Sequence, residues 1–249
     1  MKKTILFLVI VLSSTLAWSQ SASSSSDRLE ERNFRIPLIG ETAPSFKAKT
    51  TTGVINFPKD YGKNWKILFS HPADFTPVCT SEILELANLQ NEFDKLGVKI
   101  AIISADPVET HLQWVKAMED LNYKDRSGVK IKFPIIEDED LTISKKYGMI
   151  HPETNSTKAV RGVFIVDPND NIAAIYFYPM NVGRNTDELI RMVTALQATS
   201  KENVMTPANW KAGNDLLISV PPKSDPANAN AIPAGYYNLA WFMWYKKAN

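Results

Sequence analysis

From residue 40 onward the chain switches repeatedly between two hydrophobic periods: short apolar runs of strand length, and stretches with an apolar residue every three or four positions. Ile67-Leu68-Phe69-Ser70 predicts a buried strand, and Leu86, Leu89, Phe93 and Leu96 mark the core face of a helix that ends near Gly97. The same reading gives a strand over 98–104, a helix from 107 to about 122, a strand over 133–137 and a short helix over 141–147 stopped at Gly148. Strands over 160–167 and 172–178 follow, joined by the turn-forming Pro168-Asn169-Asp170-Asn171, and a helix from 186 to about 198 closes the series. A βαβ series followed by a hairpin predicts an α/β domain, a central mixed β-sheet flanked by helices.

Both ends of the chain read differently. Lys2 and Lys3 precede an apolar run over 5–12, and Ala17-Trp18-Ser19 suits signal peptidase cleavage before Gln20. The run is short for a membrane span, so residues 1–19 are expected to be an export signal, with no stable membrane insertion after cleavage and a periplasmic or secreted product. Residues 20–35, with serines at 21 and 23–26, read as a flexible leader. The domain proper is expected over 36–200. Beyond 201 the spacing of Pro207, Pro221, Pro222, Pro226 and Pro233 suggests an extended arm that wraps over a surface. The aromatic run 236–245 reads as a terminal strand docked on its own domain or on a partner subunit.

Composition narrows the function. With 249 residues and 44% apolar content the chain can bury a full core. Charge is balanced at 28 basic against 27 acidic residues with no basic run, which argues against a nucleic-acid partner. A single cysteine excludes an intrachain disulfide, and His71, His111 and His151 lie far apart in sequence, so neither a metal site nor a cofactor is expected. That cysteine is the point of interest. Cys79 stands in His71-Pro72-Ala73-Asp74-Phe75-Thr76-Pro77-Val78-Cys79-Thr80-Ser81-Glu82, where an apolar strand gives way to an amphipathic helix. A thiol at the first helical turn faces unpaired N–H groups and the positive end of the helix dipole, which favours the nucleophilic thiolate.

The chain resembles the peroxiredoxins, specifically the one-cysteine subfamily. The resemblance is carried by Thr42-Ala43-Pro44-Ser45-Phe46, the 71–82 segment, Arg161-Gly162-Val163-Phe164, 183–188 and Thr206-Pro207-Ala208-Asn209-Trp210. It implies a thioredoxin-like fold with an extended C-terminal arm at 201–249, and a homodimer in which that arm reaches the neighbour. It further implies a peroxidase that reduces hydrogen peroxide and small organic hydroperoxides, regenerated by an external thiol or a thioredoxin-like reductant. By the resemblance Cys79 is the peroxidatic cysteine, Thr76 and Arg161 complete its site, Pro72 shields it, and His71, Glu82 and Arg184 support it.

The residue types suit that chemistry. A guanidinium favours an anionic sulfur and stabilises charge on the departing oxygen, and a hydroxyl three residues before the thiol can orient a peroxide. Each residue also has a plainer reading: Thr76 as a helix N-cap, Arg161 as an ion-pair residue, His71 as a donor to a backbone carbonyl, and Glu82 as a dipole-complementing acid paired with Arg184. A chaperone or peroxide sensor on the same fold is the alternative function. Some one-cysteine members also hydrolyse phospholipids, but here the corresponding positions hold Gly62-Lys63-Asn64-Trp65-Lys66, Pro58 and Asn169, so no lipase activity is expected.

Overall fold

The computed structural model describes residues 35–223 and 231–248; the expected export signal, and all but the last residue of the leader, lie outside the described residues. Seven strands form the main sheet: β1 (Phe46–Thr50), β2 (Gly53–Phe57), β3 (Trp65–Ser70), β4 (Val98–Ser104), β5 (Ile135–Glu137), β6 (Arg161–Val166) and β7 (Ile172–Tyr178). Their order is β2-β1-β5-β4-β3-β6-β7. The β3–β4 and β4–β5 pairs run parallel, whereas β3–β6 and β6–β7 run antiparallel, which makes the sheet mixed. Among the described residues four α-helices accompany it: α1 (Pro77–Lys95), α2 (Val108–Glu119), α3 (Thr142–Lys146) and α4 (Thr186–Lys201).

Strand β3 is buried along all six residues because both of its faces are covered. Ile67 and Phe69 join one core with Ile83 and Leu86 of α1, Trp114 of α2 and Leu189 of α4. Leu68 points the other way, toward Phe57, Ile103, Tyr147 and Phe164, as the two-residue period of a strand requires. Lys66 is the exception in this apolar run: its side chain is fully buried, and its ammonium group pairs with Asp170 and donates to the Asp167 carbonyl in the β6–β7 turn. Helix α1 begins where Thr76 is extended and Pro77 occupies the first helical position, which lacks an N–H partner in any helix. It ends at Gly97, whose φ of 65° few residues other than glycine adopt readily. Leu86 and Phe93 are fully buried, while Leu89 and Leu96 pack on the margin of the same core.

Two features differ from the sequence reading. The β1–β2 hairpin is absent from it, because both strands are five residues long, half exposed, and joined through Thr51-Thr52 with no Asn-Gly signal. The aromatic terminus is a hairpin and not one strand: β9 (Tyr236–Ala240) and β10 (Met243–Lys246) pair antiparallel, and β8 (Leu216–Ile218) lies on the other side of β10. Reversal at Trp241-Phe242 lets each strand satisfy the other's backbone groups, which a single strand could not do alone. The hairpin leaves Leu239, Trp241 and Phe242 68%, 84% and 70% exposed. The start of the extension is tied down by Trp210, which is buried and whose carbonyl accepts from Arg191 of α4. No helix among the described residues is long and apolar enough to cross a membrane.

Candidate active site

Cys79 lies in the first turn of α1, at the C-terminal edge of β3, and has no exposed surface. Arg161, the first residue of β6, is brought beside it because β6 pairs with β3, and its Nη1 lies 3.4 Å from the sulfur. The guanidinium is held rigidly. Its Nε and Nη2 donate to the Met180 carbonyl at 2.8 and 2.6 Å, and Nη1 also donates to Glu82 Oε2 at 2.7 Å.

Glu82 sits three residues along α1 from Cys79, so helical geometry places it on the same side. It accepts four hydrogen bonds: one from Arg161, two from the Arg184 side chain and one from the Arg184 backbone N–H. Burial opposes ionisation of this carboxyl, but the Arg184 and Arg161 donors prevail and hold it below the usual carboxylate value. Arg184 is itself pulled down by burial, opposed by Glu82, and its guanidinium carbon stacks 3.2 Å over the Phe69 ring. Two buried guanidinium groups against one carboxylate leave one positive charge in surplus. An anionic Cys79 sulfur brings that sum to zero, so the cluster is built to accept a negative sulfur.

The other candidate residues line the loop before α1. The Thr76 hydroxyl donates to the Ala73 carbonyl at 2.9 Å and makes no N-cap bond, although its backbone occupies the N-cap position. Its lone pairs therefore remain for an incoming donor. Pro72 is buried within the loop. His71 is fully buried and satisfies no backbone carbonyl: its Nε2 pairs with Asp74 at 2.9 Å, because the loop folds Asp74 back three residues later. Burial pushes His71 below its ordinary value, and Asp74 only partly offsets this. At the opposite edge of the sheet, Lys63 donates to Asn169, so the two segments singled out for a lipase site do meet, but through an amine and an amide.

Residues 39–175 match the AhpC/TSA family, and residues 195–234 match the C-terminal domain of 1-Cys peroxiredoxin. A peroxiredoxin of Methanosarcina mazei is 47% identical over 216 residues, spanning 85% of this chain and 98% of that one. The chain belongs to the peroxiredoxin family. Another relative, a peroxiredoxin of Aquifex aeolicus, is 40% identical over 85% of this chain and 97% of its own. Among solved structures, the yeast mitochondrial 1-Cys peroxiredoxin, described for thiol resolution through glutathione and thioredoxin systems, superposes with a TM-score of 0.73 at 39% identity, covering 86% and 100% of the two chains. A cysteine-to-serine mutant of Arenicola marina peroxiredoxin 6 gives 0.74 at 32% identity, covering 85% and 98%. With its single cysteine, this peroxiredoxin is a thiol-dependent peroxidase of the one-cysteine kind.

Sequence spacing missed contacts around the Cys79 loop and Arg161. His71 and His111 are 40 positions apart in the chain, yet both engage the one carboxylate of Asp74, at 2.9 and 2.7 Å. The Asp74 N–H donates to Asp106, which also accepts from the Ser104 hydroxyl. Ligand atoms of His71, Asp74 and Asp106 lie within 4.8 Å of one another, but both Asp74 oxygens are already taken by histidines, so the group reads as a hydrogen-bond cluster. Met180, whose carbonyl anchors Arg161, was equally invisible, because a main-chain acceptor leaves no trace in residue type.

Proposed function

We propose that Cys79 attacks one oxygen of a hydroperoxide while Arg161 steadies both the sulfur and the departing oxygen. The thiolate electron pair forms the S–O bond as the O–O bond breaks; the sulfur leaves as Cys79 sulfenic acid, and the departing alkoxide or hydroxide takes up a proton to become alcohol or water. The observation that carries this reading is the 3.4 Å approach of Arg161 Nη1 to Sγ, inside a cluster whose surplus charge is positive. Thr76 serves as the orienting hydroxyl, with its proton on Ala73 and its lone pairs toward the substrate. Cys79 has no exposed surface, which favours small hydroperoxides as substrates.

Stopped-flow mixing with hydrogen peroxide tests the assignment. Wild-type protein consumes peroxide in proportion to its thiol, Cys79→Ser consumes none, and Arg161→Ala slows the reaction by about 10²- to 10³-fold, the usual cost of losing an oxyanion donor. A wild-type rate insensitive to either change overturns the reading.

Three further parts rest on the sequence and the relatives. The lone cysteine supports regeneration by an external partner, a small thiol such as glutathione or a thioredoxin-like protein, in line with the systems described for the yeast relative. The exposed Leu239, Trp241 and Phe242 support a homodimer that covers the terminal hairpin. Residues 1–19 support export with cleavage before Gln20, which N-terminal sequencing of the secreted product tests.

A further inference from the structure

We propose that His111 is a positioning residue of the peroxide site, acting through Asp74 on the turn that presents Thr76 and Cys79. This rests on the peroxidase reading above and adds to it a residue on another helix. His111 belongs to α2 and is fully buried, as is the carboxylate it meets. Its Nδ1 lies 2.7 Å from Asp74 Oδ2, and its Nε2 lies 3.1 Å from the Ile136 carbonyl of β5. His71 holds the other Asp74 oxygen, and Asp106 holds the Asp74 N–H at 3.0 Å. Asp74 is therefore pinned from β5 and α2 through His111, from the segment after β4 through Asp106, and from its own loop through His71.

What the pinning secures is the next residue. Phe75 has a φ of 53°, a left-handed conformation that a bulky side chain seldom adopts, and its ring is 56% exposed. Its ring meets Trp114 of α2 at 6.5 Å between centroids and is otherwise largely open, so the conformation rests mainly on its neighbours. On the far side Thr76 folds its hydroxyl back to Ala73, closing the loop into one unit that passes directly into the first turn of α1. If Asp74 moves, Thr76 and the entry to Cys79 move with it.

The donor inventory specifies how His111 acts. A carbonyl oxygen only accepts, so Nε2 must carry a proton for Ile136. The 2.7 Å contact needs a proton between Nδ1 and the Asp74 carboxylate. Although burial opposes it, the His111 and His71 bonds keep Asp74 below the usual carboxylate value, so Asp74 is the group that both histidines hold. Asp106 and Glu137 are the further acids near this pair. His71 differs in kind, since its Nδ1 is buried without a hydrogen-bond partner and is a bare lone pair.

Two measurements test the proposal. Nitrogen-15 spectra of histidine-labelled wild-type protein should show a His111 Nδ1 engaged in a hydrogen bond, assigned by its disappearance in a His111 variant and moved in Asp74→Asn. A His111 with a bare Nδ1 overturns the proposal, and this measurement needs no active variant. In stopped flow, His111→Leu should slow the reaction with hydrogen peroxide by about 10- to 100-fold, as misplacement of a catalytic group does. His111→Asn, whose amide nitrogen can stand where Nδ1 stood, should recover most of that loss. A Leu variant within about twofold of wild type, or an Asn variant as slow as the Leu variant, overturns it. Cys79→Ser run alongside separates the two levels: failure of wild-type protein to consume peroxide sinks the peroxidase reading, whereas normal wild-type activity with indifferent His111 variants sinks only this one.

Discussion

Glu82→Gln puts the central carboxylate to the sharpest test. The amide has the same shape but offers one acceptor oxygen instead of two. With that oxygen in the Oε1 position, the bonds from the Arg184 backbone N–H and Nε survive, at 2.8 Å each in the wild type. The amide NH2 then faces Arg161 Nη1 and Arg184 Nη2, two donors it cannot accept from, where the carboxylate sits at 2.7 Å from both. Two charge-assisted bonds at about 1.5–3 kcal/mol each give a loss of roughly 3–6 kcal/mol. That agrees with about 3–5 kcal/mol for removing one partner of a buried ion pair, and screening does not reduce it because all three side chains are nearly fully buried. Urea unfolding at fixed protein concentration reads it directly: with a slope of about 2–3 kcal/mol per M, the midpoint falls by roughly 1–3 M. In the same variant Arg161 loses one of its two anchors, so the peroxide reaction slows by about 10- to 100-fold. An unchanged midpoint together with an unchanged rate would refute the view that Glu82 holds both arginines.

Other outcomes follow from the same geometry. Glu82 has a folded-state value below its unfolded one, so its contribution is present above about pH 4.3 and is lost as pH falls through the folded value; the urea-midpoint gap between wild type and Glu82→Gln should shrink across that acid range. Arg161→Lys keeps the charge but not the fork that spans Met180, Glu82 and Cys79, so the peroxide rate should fall at least about 10-fold, and a wild-type rate would show that charge alone suffices. Excess peroxide without reductant should convert Cys79 to the sulfinic acid, and mass spectrometry finding a Cys79-to-Cys79 disulfide as the main product would contradict this. Purified protein should release no fatty acid from phosphatidylcholine vesicles, because Lys63, Asn64 and Asn169 provide no nucleophile–base pair where the related lipases have theirs; measurable release would overturn that assignment.

Local signals carried much of this structure. The β3 strand, the α1 start at Thr76-Pro77 and its stop at Gly97 each follow from residues adjacent in sequence, and so does the position of Cys79 in a first helical turn. Residue type and resemblance together pointed to Arg161, Glu82 and Arg184, and the structure joins the three in one ion-pair cluster that meets the sulfur through Arg161. What could not be read was pairing across the fold. His111 meets Asp74 only because α2 packs beside the loop, and periodicity reports which face is buried without naming its neighbour. The aromatic terminus failed for a related reason: a run without glycine or asparagine gives no sign of where it reverses, and pairing between β9 and β10 decided it.

The unequal count of two guanidinium groups to one carboxylate has a consequence for the second half of the cycle. Once the sulfur carries a hydroxyl and its proton, it no longer neutralises Arg161, and the surplus positive charge reappears at the oxidised atom. That surplus favours an anionic newcomer, such as the thiolate of a thiol reductant. A single electrostatic imbalance thus draws in both nucleophiles in turn, first the protein's own and then its partner's.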